Sequence, residues 1–242
     1  MSKLQEWIEM SNNIVFFGGA GVSTESGIPD FRSDNGLYKK KYRYPAEQMI
    51  SHSFFVSNPQ EFYEFYFNQM IFENAKPNKA HLALAKLEKE GKLKAIVTQN
   101  IDGLHQKAGN QHVYELHGSV LSNTCTHCHA HYDLEETITS RNEQGIPICP
   151  KCSHIIKPNV VLYEEGLDQD VLYGAIDAIE KADMLIVAGT SLVVYPAAGL
   201  LQYYRGNKLV LINKEKTSMD HMAHLVIQDT VGKVLEEATI NL

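Results

Sequence analysis

Apolar residues in this chain are gathered into short unbroken runs, and each run ends in small or polar residues. "NIVFFGGAG" ends on Gly21, "LKAIVTQNIDGLH" spans Leu93 to His105, "DMLIVAGTSLVVYPAAGLL" spans Asp183 to Leu201, and "KLVLINK" spans Lys208 to Lys214. Continuous, β-branched-rich runs of this kind fit strands buried on both faces of a parallel sheet. Between them the period changes to that of a helix. "KAHLALAKLEKEG" sets Leu82, Leu84, Ala85 and Leu87 on one apolar side, with Gly91 as a stop. "LDQDVLYGAIDAIEKA" repeats the pattern, and near the start Leu4, Trp7 and Ile8 stand at helical spacing. Strands alternating with helices predict an α/β chain with a Rossmann-like, doubly wound parallel sheet, whose ligands sit beyond the carboxyl ends of the strands.

Two segments break this alternation. Residues 39–76 are crowded with aromatics (Phe54, Phe55, Phe62, Tyr63, Phe65, Tyr66, Phe67, Phe72) and interrupted by Pro45 and Pro59, which reads as a helical insertion. Its aromatics serve packing or line an apolar tunnel. Residues 122–154 hold every cysteine and little periodic apolar pattern, a second insertion. The expected division is therefore 1–38, 77–121 and 155–242 as a nucleotide-binding unit, with 39–76 and 122–154 forming a small domain.

Composition narrows the classes. With 242 residues, 44% of them apolar, the chain can bury a large core. A formal charge of −7 argues against a general binder of nucleic acid or anionic membrane. No run approaches the roughly 18–20 apolar residues of a membrane span, and "MSKLQEWIEMSNN" lacks the apolar centre of a secretion signal. The expectation is a cytoplasmic protein.

The cysteines change the picture further. Cys125 and Cys128, then Cys149 and Cys152, give two C-x2-C knuckles. That is the spacing of a zinc ribbon, in which each knuckle points two thiolates at one tetrahedral ion. Four thiolates close the site, so the metal is expected to be structural, with one Zn2+ per chain. A thiol–disulfide redox pair is the other reading. His127, His129, His131 and His154 lie close enough in sequence to stand in for a ligand.

Gly19-Ala20-Gly21 after a strand lets backbone N–H groups approach a pyrophosphate, although an ordinary strand-to-helix turn fits as well. Thr24 stands at the third fingerprint position, and Lys39, Lys40 and Lys41 stand where a dehydrogenase would place an acid for the ribose. Gly189, Thr190 and Ser191 form a second loop after a strand, and Asn213 ends another strand as a ribose-hydroxyl partner. "SGIPDFR", "TQNIDGLH" and "ELHGS" bring Asp30, Arg32, Gln99, Asn100, Asp102 and His117 to one sheet edge. His117 is the natural base there, since imidazole titrates near neutrality. Ser23 with His117 suggests a hydrolase pair, but the G-x-S-x-G elbow is absent.

"GAGVSTESGIPDFR", "TQNIDGLH", "ELHGS", the paired knuckles, "KPNVVLYEE" and "GTSLVVYPAA" stand in the order found in sirtuins, and the chain resembles bacterial members of that family from near Asn12 to Asn213. The resemblance implies an NAD-dependent protein lysine deacetylase that turns an acyl-lysine and NAD into free lysine, nicotinamide and O-acetyl-ADP-ribose. It implies that Ala20, Gly21 and Thr24 hold the pyrophosphate region. Phe31 and Arg32 belong to the cofactor loop, with Phe31 shielding the ribose carbon once nicotinamide leaves. Ile101 and Asp102 hold the carboxamide, and Gln99 and Asn100 the ribose and the attacking water. Gly189, Thr190, Ser191 and Asn213 contact the adenosine half, and His117 takes the ribose hydroxyl proton. Val160, Val161, Leu162, Tyr163 and Val193 offer a strand edge to an acetyl-lysine peptide.

The chain departs from the family pattern in two places. Tyr163-Glu164-Glu165 stands where the family reads Phe-Gly-Glu. Family members that remove succinyl groups use a Tyr and an Arg three residues apart; Phe65 and Asn68 stand roughly there, and no arginine occurs between Arg43 and Arg141. The implied acyl group is acetyl, or a longer apolar chain. Protein ADP-ribosyl transfer on the same scaffold, and a non-catalytic zinc-ribbon module, are the alternative functions.

Overall fold

Glycines and short polar loops punctuate the apolar runs, and the chain responds by folding into two sheets. The computed structural model describes residues 2–33 and 36–240. Helix α1 (Lys3–Met10) opens on a capping box in which Ser2 and Gln5 satisfy each other's backbone N–H groups. Strand β1 (Ile14–Gly18) follows, fully buried. Then come the short helices α2 (Ala46–Met49), α3 (His52–Ser57) and α4 (Pro59–Gln69), followed by α5 (Lys79–Lys89). Strand β2 (Leu93–Thr98) leads through α6 (Leu104–Ala108) to β3 (Val113–Glu115).

The second sheet is assembled next, from β4 (Gly118–Cys125), β5 (His131–Asp133) and, after α7 (Leu134–Thr139), β6 (Ile156–Val160). It is antiparallel with order β5-β4-β6. The chain then returns through α8 (Gln169–Lys181) to β7 (Met184–Ala188), β8 (Leu209–Ile212), β9 (Leu225–Ile227) and α9 (Val231–Ala238).

The main sheet is parallel throughout, in the order β3-β2-β1-β7-β8-β9. The chain adds β2 and β3 outward on one side of β1, and β8 and β9 outward on the far side of β7, so the order of addition reverses between β1 and β7. Open α/β sheets bind their ligands at such a switch point, beyond the strands' carboxyl ends. Side-chain alternation gives each strand two buried faces. Ile14, Phe16, Ile96, Ile186 and Val210 pack under α1, α5 and α9. Val15, Phe17, Val97, Val187 and Leu211 pack under α8 and a 3-10 stretch, Ala197–Tyr203. The aromatic insertion has its own core, in which Phe62, Tyr63 and Tyr66 are wholly buried and meet edge to face or stacked. Truncating a phenylalanine such as Phe62 to alanine costs about 3–5 kcal/mol in such cores.

One expected face is corrected. Leu82 is 55% exposed, and Ala80 and Ala83 are buried in its place, because α5 turns its Ala80–Leu84–Leu87 stripe toward the sheet. β3 and β9 carry no strong sequence signal, whereas α9 buries Val231, Val234, Leu235 and Ala238 at helical spacing. Among the described residues, no helix is long and apolar enough to cross a membrane.

Candidate active site

The loops leaving β1 and β7 cross at the switch point, and glycine makes the crossing possible. Gly21 donates its N–H to the Gly189 carbonyl at 2.8 Å, and Gly19 donates to Ala188 at 3.2 Å. A Cβ on Gly21 would lie 2.7 Å from the Gly189 Cα, and one on Gly19 would lie 2.7 Å from the Thr190 Cβ. Gly189 itself sits at φ +61. These glycines therefore bring two strand-end loops together, in addition to leaving room for a ligand. Among the described residues, the N–H groups of Ala20, Thr24 and Ser191 donate to no protein group, and all three residues line the cavity beyond. Unpaired amides gathered at one point are an anion site.

Side chains knit the crossing. Thr190 Oγ1 donates to Gln99 Oε1 at 2.8 Å, and the Thr24 hydroxyl donates back to the Gly21 carbonyl at 3.0 Å. The Asn213 carboxamide engages Thr190 twice, accepting from its N–H and donating to its carbonyl, each at 3.1 Å. Asn213 thus braces the second loop as well as facing the cavity. Lys39, Lys40 and Lys41 are exposed and lie outside the cavity lining.

The stretch after β2 builds the reactive wall. One Asp102 carboxylate oxygen accepts from the N–H of Leu104, the first residue of α6, at 2.9 Å, and the other accepts from Ser23 Oγ at 2.7 Å. Asn100, itself buried, donates to that same Ser23 oxygen at 3.1 Å. Ser23 is therefore a hub joining Asn100 to Asp102. His117 lies where the main sheet hands over to the small one. Its Nδ1 is 3.0 Å from the Gln99 carbonyl. A carbonyl only accepts, so Nδ1 carries the proton and Nε2 keeps its lone pair. Burial holds His117 below the ordinary imidazole pKa, against the opposing pull of that Gln99 bond, so the ring is neutral at pH 7.

Opposite stands the edge formed by residues 160–165. Val161 donates to the His117 carbonyl at 2.9 Å, and Tyr163 exchanges backbone bonds with Ile50 and His52. The Tyr163 hydroxyl is 2.8 Å from that of Tyr38, whose ring packs beside Phe31 and beneath Arg32. Among the described residues, the backbone groups of Glu164 and Val193 have no protein partner, and both residues face the same cavity. That cavity has a volume of about 1240 Å³, more than the ~300–1,000 Å³ of a typical small-ligand site. Every residue expected at the cofactor and peptide sites lines it, from Ala20 to Asn213. Met70, Ile71 and Phe72, just after α4, also reach it.

The four cysteines stand apart from this cavity. Their sulfurs all lie within 4.8 Å of one another, with Cys125 to Cys152 at 3.3 Å and Cys128 to Cys149 at 3.6 Å. Sulfurs ligating one zinc at about 2.3 Å in a tetrahedron are spaced by about 3.8 Å, so the quartet fits the ion.

Residues 19–196 match the Sir2 family, well over half of the chain. The chain belongs to the Sir2 family. It is 63% identical to a protein of Clostridium perfringens named NAD-dependent protein deacetylase, over 97% of this chain and 96% of that protein. A protein of the same name from Clostridium acetobutylicum is 60% identical over 98% of this chain and 96% of its own length. Among solved structures, a Sir2 complex with deacetylated p53 peptide and 3'-O-acetyl-ADP-ribose superposes with a TM-score of 0.89. It is 42% identical and matches 96% of this chain and 94% of that one. A Sir2 complex with p53 peptide and NAD+ gives a TM-score of 0.86 at 40% identity, over 98% of this chain and 96% of that one.

Within this Sir2-family cavity, sequence reasoning overlooked Ser23 as a partner of Asp102 and Asn100. The signal was its place one residue before Thr24 in the glycine loop, but there it was weighed only as a nucleophile. It also overlooked His81 and His105, a buried pair with ring centroids 4.8 Å apart outside the cavity lining. An apolar helical pattern gives no hint that a histidine on it will meet another.

Proposed function

We propose that this chain is an NAD-dependent protein lysine deacetylase acting on acetyl-lysine in proteins and peptides in the cytoplasm. The observation that carries the reading is His117, a neutral imidazole with its free Nε2 at a cavity too large for one small ligand. The glycine crossing with its unpaired amides at Ala20, Thr24 and Ser191 fits a pyrophosphate. Thr190, Ser191, Gly189 and Asn213 then lie along the adenosine half. Ile101 and Asp102 hold the carboxamide, with Ser23 and α6 keeping the Asp102 carboxylate in place. Phe31 and Arg32 cover the reacting end, anchored through Tyr38. The backbone edge at Val160, Val161, Leu162 and Tyr163, facing Val193, takes the peptide as an added strand.

Bound NAD supplies the electrophilic ribose carbon and the ADP-ribose acceptor, so that the products are free lysine, nicotinamide and O-acetyl-ADP-ribose. His117 Nε2 takes a proton from a ribose hydroxyl, and the Gln99 carbonyl stabilises the imidazolium that results. Gln99 and Asn100 orient the ribose and the water. The packed rings of Phe31 and Tyr38 in the cavity wall would shield the reacting end from bulk solvent once NAD and peptide are bound, which keeps water from competing with the acyl group. Zinc at Cys125, Cys128, Cys149 and Cys152 holds the small sheet and takes no part in the reaction. We assign 1–38, 77–121 and 155–242 to the nucleotide-binding unit, with 39–76 and 122–154 as its insertions.

The test is an acetyl-lysine peptide incubated with and without NAD, with products identified by mass spectrometry. The wild type should yield deacetylated peptide and O-acetyl-ADP-ribose only with NAD, and His117→Ala should lose about 10²–10⁴-fold in rate. Turnover without NAD, or full activity in the variant, defeats the reading. A protein acceptor gaining the mass of ADP-ribose without losing acetyl would point to ADP-ribosyl transfer instead.

A further inference from the structure

Glu164 has a backbone φ of +77, a left-handed conformation that residues other than glycine adopt rarely. Backbone outliers at a binding rim are grounds for asking what the side chain does. Here the carboxylate is held at the start of α3, accepting from the Ser53 N–H at 2.8 Å and the Ser53 hydroxyl at 2.9 Å. It is exposed, and among the described residues no cation lies within ion-pair distance of it. Its neighbour Glu165 differs in this respect, meeting Lys157 at 3.2 Å and His52 at 2.8 Å. One carboxylate is thus offset by its surroundings and the other is displayed.

The display has a position. Glu164 follows Tyr163 on the edge that faces the cavity, and its own N–H and C=O are unpaired, as are those of Val193 across from it. A peptide docking as a strand on this edge advances about 3.3 Å per residue. Side chains one or two residues from the acyl-lysine therefore pass within reach of the Glu164 carboxylate, and a long lysine or arginine spans the remainder.

We propose that Glu164 makes the site select acyl-lysines that have a lysine or arginine within two residues, so that the substrate class is basic, lysine-rich segments. This rests on the deacetylase reading. The charge is fixed by Ser53 before the peptide arrives, so little side-chain entropy opposes the pairing. Being exposed, the pair adds modestly to affinity, and salt screens it.

The experiment compares acetyl-lysine peptides in an alanine background, with Arg, Ala or Glu at each of the two positions on either side. It measures NAD-dependent kcat/KM and, separately, binding of labelled peptides by fluorescence anisotropy. At one flank at least, Arg should exceed Glu by about two- to five-fold, the range of one exposed ion pair. The preference should shrink as salt rises from about 0.1 to 1 M and the screening length contracts from about 10 to 3 Å. Glu164→Gln keeps an acceptor for Ser53 but no charge, and should bring the ratio to about one. Ser53→Ala frees the carboxylate without neutralising it, and should retain the preference. A wild type indifferent to all four positions, or a preference that Glu164→Gln leaves intact, overturns the proposal. If the wild type deacetylates none of the peptides with NAD, the deacetylase reading fails, while anisotropy still decides whether Glu164 selects basic segments.

Discussion

A neutral imidazole that donates through one nitrogen can only accept through the other, and at His117 the Gln99 carbonyl makes that choice. Protonating Nε2 removes the acceptor, so the proposed role as base requires the neutral ring. Burial lowers its pKa, with the Gln99 bond opposing. The acidic limb of kcat/KM should therefore lie below pH ~6.5, the ordinary imidazole value, with no loss between there and pH 8. A limb above that value would mean that another group is the base. The place of this residue at the cavity was legible in the sequence, because "ELHGS" puts an imidazole at the sheet edge. Ser23 was not, because a hydroxyl's partners are set by loops distant in sequence. Asn213 was legible as a residue at the cavity, but not as the brace of Thr190.

Helices decide which residues the cavity meets. On α4, Phe65 is 5% exposed and packs edge to face on Tyr42, 5.0 Å between centroids, and neither it nor Asn68 lines the cavity. With no arginine on that helix to meet an acid, an acetyl-lysine peptide should turn over faster than its succinyl counterpart in matched kcat/KM assays. Between α5 and α6, His81 and His105 are buried together, and neither His105 nitrogen nor the His81 Nε2 has a hydrogen-bond partner. Burial pushes His81 down to about 4, opposed by the Asp102 charge, and His105 down to about 3, with His81 adding to the effect. Both bind protons more readily when unfolded, at about 6.5, so the stability they confer is present above that pH. It is lost as pH falls from there toward 4 and 3. Urea midpoints should fall between pH 7 and pH 5, and more shallowly in His105→Leu. At pH 7 that variant should be at least as stable as the wild type, since the two orphaned nitrogens of His105 are removed with the ring. The long periodic helices were legible and the short edge strands were not. β3 and β9 have three residues each, half-buried or exposed, too few to show a period. Leu82 was misread because α5 presents alanines where a larger residue would be expected inside.

Across the whole molecule, two sheets with separate cores meet at His117. Its side chain is tied to Gln99 beyond β2, while its backbone carbonyl accepts from Val161 beyond β6. Among the described residues, the knuckle end of the small sheet buries Cys125, Cys149 and Ile156, while Val120 and Val160 of the same sheet pack into the aromatic insertion's core. The knuckles themselves have too little core to hold without an ion. Zinc should be present at about one per chain and should fall in Cys149→Ala. In that variant residues 118–160 should become protease-sensitive and deacetylation should vanish while the parallel sheet stays folded. Full activity after complete loss of zinc would contradict the arrangement. The α/β class and the metal quartet were both legible at this scale, the first from runs of buried strand, the second from spacing alone. The strand order was not, since nothing in a run of apolar residues says which neighbour it will take.

The glycine crossing has a genetic consequence. Any single-base change of a glycine codon that yields another amino acid adds a Cβ, and at Gly19, Gly21 and Gly189 there is an atom within 3.0 Å of where it would go. In a randomly mutagenised library selected for activity, these three codons should be nearly invariant. Gly166, with nothing within 4 Å, and Gly199, with only ordinary contacts of 3.5 Å or more, both lie outside the left-handed region and should accumulate changes under the same selection. Gly21 and Gly189, far apart in the gene, would then stand out as one linked pair, and rescue of a lesion in either would have to come from the other loop.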